Sequence, residues 1–200
     1  MDNASDAAVR AEVMGLVRTL VPLDANEREQ IAEALAWVES GVPFCRVAKP
    51  ATPPQHLVSY AALIDPKTRA ILLVDHINAG LWLPCGGHVE LGEHPTTTAA
   101  REVSEELAVE ASFLFAQPIF ITITETVGAT AGHTDVSLWY ALRGDVAQVL
   151  RPDVAEFRRV AWFGFDELPL ERCDPQLGRF VAKLRMLLDA SEDEIHPQKT

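Results

Sequence analysis

Three glutamates in one short segment, Glu102, Glu105 and Glu106, have the spacing of a functional carboxylate cluster. At 100° per residue they fall within an arc of about 100° on a helix. Ala99, Val103 and Leu107 lie on a different face, so the helix packs with one side and presents carboxylates on another. Solvated helix faces are often charged, but ordinarily with both signs. Here Glu102, Glu106 and Glu110 stack at i,i+4 with no lysine or arginine among them. Each like-charge contact costs a few tenths of a kcal/mol. Arg101 is spaced to reach Glu105 alone, in the less favourable orientation. Carboxylates short of side-chain partners point to a hard divalent cation with oxygen ligands.

The elements that position this helix read as follows. Pro84, Cys85, Gly86 and Gly87 precede it; the adjacent glycines predict a strained turn and a close backbone approach to a ligand. Pro95 sits near the first position of a helix predicted over Pro95–Val109. Upstream, two β-rich runs, His56–Ile64 and Ala70–Val74, flank the turn residues Asp65 to Thr68. A short strand is expected at Leu81–Pro84, and later strands at Ser112–Phe115, Pro118–Thr124, Val136–Leu142 and Arg159–Phe163. A last helix is expected from about Pro175 to Ala190. Residues 1–48 read as a helical extension: Val9, Val13, Leu16, Val17 and Leu20 recur at helical spacing, and Asp24 with Glu27 has capping-box spacing before a second helix closed by Gly41. Three prolines in Lys49–Pro54 mark a linker. Residues 53–190 then form the main domain and 191–200 a disordered tail. Strands and helices mix without regular βαβ alternation, which predicts an α+β fold.

The segment from Gly87 to Val109 resembles the Nudix box at Gly87, Glu93, Arg101, Glu102, Val103, Glu105, Glu106 and Val109. It departs at Ala108, where the family has a helix-ending glycine, and an altered exit turn is expected there. The resemblance implies a Nudix-type α/β/α sandwich with extra N-terminal helices. It implies magnesium, with manganese as a substitute, on Glu102, Glu105, Glu106 and a backbone carbonyl of the Gly86-Gly87 turn, assigned to Gly87. Arg101 would position Glu102, and Glu93 would support the helix or act as an outer ligand. The implied reaction is attack of water on phosphorus in a nucleoside diphosphate derivative or nucleoside triphosphate, with Glu102 as base and Glu125 as the alternative. A cysteine near this loop also resembles isopentenyl-diphosphate isomerases, and a non-catalytic nucleotide-binding module of the same fold is a further alternative.

Weaker signals surround the box. His88 and Asp174 are candidate substrate contacts, although a solvated histidine and a helix cap explain them as well. The segment Gly132, His133, Thr134, Asp135 is a candidate loop near the metal or an Asp-capped turn. Trp82, Phe120 and Trp139 are candidates for base stacking, but strand aromatics are more often core. The formal net charge of −12 argues against a nucleic-acid polymer or an anionic membrane surface as partner, while leaving room for a small anionic substrate beside a bound cation. No apolar run approaches the length of a membrane span. Three widely spaced cysteines form neither a disulfide framework nor a ligand cluster, and the polar, acidic start is not a secretory signal, so the cytoplasm is expected. The N-terminal helices are expected either to cap the sandwich or to form a homodimer interface.

Overall fold

The computed structural model describes residues 3–49 and 52–195. Pro50 and Ala51 of the expected linker, and residues 196–200 of the expected tail, lie outside the described residues. Five of the seven strands of one mixed sheet run in the order β3 (Trp82–Leu83), β2 (Ala70–His76), β1 (Gln55–Asp65), β6 (Thr134–Arg143), β5 (Phe120–Glu125). Two more pair off this path: β4 (Cys85–His88) on β1 and β7 (Phe157–Gly164) on β2. The turn between β1 and β2 is held by Asp65, whose Oδ1 accepts from the amides of Lys67 at 2.9 Å and Thr68 at 3.2 Å. The central pairing of β1 with β6 is parallel and sets His56 opposite Asp135.

Alternation along the strands divides the core into two layers. On one face Leu57, Ala61 and Leu63 of β1 and Val136, Leu138 and Tyr140 of β6 pack against Ala99, Val103 and Leu107 of α3 (Pro95–Leu107). On the other, Ala62, Ile64, Trp139 and Ala141 pack against Phe180, Val181 and Leu184 of α4 (Leu177–Ile195). The result is the expected α/β/α sandwich. Trp82, Phe120 and Trp139 are buried within it, as core aromatics.

The N-terminal helices are α1 (Asn3–Thr19) and α2 (Ala25–Glu39). Val13, Val17, Ala34 and Val38 join the same apolar cluster as α3, so the extension caps the sandwich. Asp24 accepts from the Glu27 amide at 2.8 Å, and Glu27 reaches back to the Leu23 amide at 2.6 Å, a reciprocal cap. The two acids also fasten α2 to α4: Lys183 Nζ lies 2.6 Å from Glu27 Oε1, and Arg179 pairs with Asp24 at 2.6 Å.

Three local expectations change. The Gly-Gly stretch is strand β4 rather than a turn. Ser112–Phe115 forms only a bridge, Phe113 with Leu142, before the chain turns into β5. The last helix continues to Ile195, into the stretch expected as tail. Among the described residues no helix is long and apolar enough to cross a membrane.

A candidate carboxylate active site

Helix α3 begins with His94 as N-cap, its Nδ1 accepting from the Thr96 amide at 3.2 Å, and Pro95 in the first turn. It ends at Ala108, which adopts the left-handed conformation (φ 55°, ψ 41°), with its amide donating to Ser104 O and that of Val109 to Val103 O. Alanine takes the glycine conformation, and the backbone bonds hold it there.

Arg101 is the hub of the site. Its Nε and Nη2 grip both oxygens of Glu93 at 3.0 and 3.1 Å, and its Nη1 donates to Glu102 at 2.9 Å and Glu105 at 3.1 Å. Arg101 therefore reaches further than helix spacing alone predicts, because Glu93 folds back beside the first turn and a guanidinium carries five donors. Glu93 is held below the usual carboxylate range: burial pushes it up, but Arg101, Thr98 and the Glu90 amide together outweigh that.

The other carboxylates have less compensation. Glu106 is 7% exposed, and its Oε2 accepts from the Cys85 thiol at 2.8 Å and the Gly86 amide at 3.3 Å. Burial, with Glu102 and Glu156 adding like charge, pushes Glu106 up to about 8 despite the thiol. Glu102 is also raised, by burial first and by Glu105 and Glu156, against the pull of Arg101. Glu105 stands at the rim, 61% exposed. Gly87 passes directly beneath Glu102: a Cβ there would overlap the Glu102 carboxylate, and one on Gly86 would overlap the backbone of Ser59 and Tyr60. Gly86 serves close approach of β4 to β1 and Gly87 close approach to the helix, neither of them a turn. An all-oxygen set with one arginine shared among several acids fits a hard divalent cation in both donor chemistry and charge.

Two residues join this site without a signal in the spacing. Glu156, just before β7, acts on both Glu102 and Glu106. Arg46, half-buried, feels burial most and then the charges of Asp135 and Glu102. Other candidates lie elsewhere. Glu125 lines a separate cleft with Asn26, Glu29, Gln30 and Glu33. Asp174 caps the start of α4, its Oδ1 accepting from the Gln176 amide at 2.7 Å, and burial raises it to about 6. His88 is not in a loop. It ends β4 with its side chain on the sheet face away from Gly87, gathered with His56, His133 and Asp135.

Solved structures share this architecture. They include an Ap4A hydrolase from C. elegans (15% identity, covering 67% of this chain and 98% of that one, TM-score 0.56). A NUDIX-family hydrolase from Clostridium perfringens matches at 19% identity over 66% and 97%, TM-score 0.51. The NUDIX domain of Shewanella oneidensis NrtR, solved with ADP ribose, matches at 20% over 66% and 87%, TM-score 0.52. These likenesses show the fold, an α/β/α sandwich. A NUDIX domain model matches residues 54–184, and the chain belongs to the Nudix family, whose hydrolases act on nucleoside diphosphate derivatives. No curated protein matches the chain.

Proposed function

We propose that this Nudix hydrolase cleaves a diphosphate linkage in a small nucleotide, either a nucleoside diphosphate derivative or a nucleoside triphosphate, with magnesium as its cation and manganese as a substitute. One observation carries the reading: Glu102 and Glu106 converge over Gly86 and Gly87 with too little positive charge to balance them. Glu102, Glu105, Glu106 and the Gly87 carbonyl would hold the cation, and we add Glu156 to that set. When bound, the cation supplies neutralisation of phosphate charge and a lowered pKa for the attacking water.

The chain's own groups do the rest. Glu102, raised by its surroundings, takes the proton of the water as its oxygen bonds to phosphorus; a base of higher pKa accepts that proton more readily. The anhydride P–O bond breaks and the leaving phosphate departs with the bonding pair. Arg101 holds Glu102 at 2.9 Å and is itself fixed by Glu93, so the base is oriented before substrate arrives. Arg46 is assigned to a substrate phosphate. Cys85 is buried, and its thiol is kept protonated by burial and by Glu106, which supports hydrolysis over cysteine-dependent isomerisation. The three cysteines, buried as thiols and not joined in disulfides, support a cytoplasmic location.

The test is a panel of nucleoside triphosphates, ADP ribose and dinucleoside polyphosphates with magnesium, on wild type, Glu102→Gln and Glu106→Gln. Wild type should turn over at least one and gain thermal stability from magnesium. Both variants should lose turnover by orders of magnitude and gain less from magnesium. Near wild-type rates in both variants would overturn the assignment.

A further inference from the structure

The opposite face of the sheet carries a second cluster. His56 at the start of β1, His88 at the end of β4, and His133 and Asp135 at the start of β6 each offer one ligand atom, and these atoms lie within 4.8 Å of one another. The parallel pairing of His56 with Asp135 and the antiparallel pairing of Val58 with His88 bring them together. His56 is fully buried (0% exposed) and His133 nearly so. Asp135 Oδ1 is the common centre: His56 Nε2 lies 3.3 Å from it, His133 Nε2 3.4 Å and His88 Nε2 3.8 Å.

The tautomers decide what this centre wants. His56 Nδ1 lies 2.9 Å from the Pro53 carbonyl, an acceptor only, so Nδ1 carries the proton and Nε2 presents a lone pair. Thr126 Oγ1 lies 3.1 Å from the His133 carbonyl and 3.2 Å from His133 Nδ1; with the hydroxyl proton on the carbonyl, Nδ1 donates to Oγ1 and the Nε2 of His133 is open too. Lone pairs on buried imidazoles therefore face a carboxylate oxygen. His56 Nε2, His88 Nε2 and Asp135 Oδ1 are buried without a hydrogen-bond partner among the described residues. Such atoms are costly unless something positive lies between them. A single shared proton would satisfy one imidazole and leave the other two facing the same oxygen. One cation satisfies all four.

From this geometry we infer a second metal site, in which His56, His88, His133 and Asp135 bind one divalent transition-metal ion of the zinc type. Imidazole nitrogen with one carboxylate is a donor set that zinc accepts and magnesium does not favour. Bonds of about 2.0–2.1 Å in a tetrahedron give ligand–ligand edges of about 3.3 Å, which the two shorter contacts to Asp135 already match. Four protein ligands close the coordination sphere, the pattern of a structural rather than a catalytic ion. Its position gives it a purpose. His88 follows Gly87 in the chain but faces away from it, so an ion on one side of β4 pins the strand whose other side supports Glu102 and Glu106.

The experiment uses the full chain, stripped with chelator and titrated with zinc, with bound metal measured by mass spectrometry and competition. Wild type should bind one equivalent that excess magnesium does not displace. His133→Gln and Asp135→Asn should each weaken zinc by at least roughly tenfold, while a Glu102→Gln, Glu106→Gln double variant should keep it. Cobalt added to the stripped wild type should give the visible absorption of a four-coordinate ion, a readout that needs no variant. Absence of stoichiometric zinc binding, octahedral cobalt spectra, or zinc affinity unchanged in the histidine and aspartate variants would each overturn the site.

Discussion

Gly87 and Glu102 occupy one space: the carboxylate of Glu102 rests where a methyl group on Gly87 would be. The obstructing atoms are the far end of a flexible side chain, so Gly87→Ala can fold by displacing Glu102. We expect a melting temperature within a few degrees of wild type and a loss of turnover of about a hundredfold or more, since a small misplacement of a catalytic group is costly. Parallel melts and kinetics on the best substrate check this, and retained activity would show that Glu102 need not sit over the strand.

Glu106 makes the metal-free protein sensitive to pH. Its folded-state value of about 8 lies above the ordinary 4.5. Between these values the folded chain holds a proton that the unfolded chain has released, so stability falls as pH rises through this window, by up to about 1.4 kcal/mol per pH unit. In chelator, wild type should lose more stability than Glu106→Gln between the two limits. Magnesium, by binding the ionised form, should lessen the difference. Equal slopes in denaturant melts would contradict the shift.

Ala108 holds the left-handed conformation at the end of α3. An L-residue there costs roughly 1–2 kcal/mol, partly offset by the lower entropy of alanine in the unfolded chain. Ala108→Gly should therefore stabilise by roughly 1 kcal/mol and leave turnover unchanged. Chemical denaturation measures the gain.

Among the described residues Cys85 Sγ hydrogen-bonds to Glu106 and to no other side chain of the site. Cys85→Ala should keep turnover within about tenfold, the range of losing one positioning hydrogen bond. It should also raise Glu106 further, so the magnesium requirement shifts to higher concentration at low pH. Loss of activity comparable to Glu102→Gln would instead favour chemistry on the thiol.

Lys183 and Glu27 form a buried pair that ties α2 to α4. Removing one partner strands the other charge, so Lys183→Met should cost about 3–5 kcal/mol. Deleting residues 1–48 should leave an aggregated or unfolded chain, because the apolar cluster of the sandwich includes α1 and α2. A monomeric, active truncation would show that the helices are dispensable.

The carboxylate site was legible because its residues lie along one helix, where a fixed angular step turns spacing into geometry. Glu93 and Arg101 needed only the loop beside it. The histidine cluster was not legible as a unit. Gly132 to Asp135 and His88 carry separate signals in the sequence, but nothing near His56 marks it, since its partners arrive through the parallel pairing with β6 and the antiparallel pairing with β4. Glu156 was hidden for the same reason: a loop glutamate gains meaning only from where β7 docks. The Gly-Gly stretch misled because glycine permits both a turn and a strand pressed against its neighbours, and only tertiary packing distinguishes them.

The link between α2 and α4 also has a temporal side. Glu27 and Lys183 are separated by 156 positions. At a synthesis rate of about 5–20 residues per second, Glu27 precedes Lys183 by roughly 8 to 30 seconds. Throughout that interval the nascent chain carries a glutamate destined for the interior whose counter-charge has not yet been translated. The apolar faces of α1 and α2, which pack against the sheet in the finished fold, thus complete their docking only once the sheet and α4 have been made.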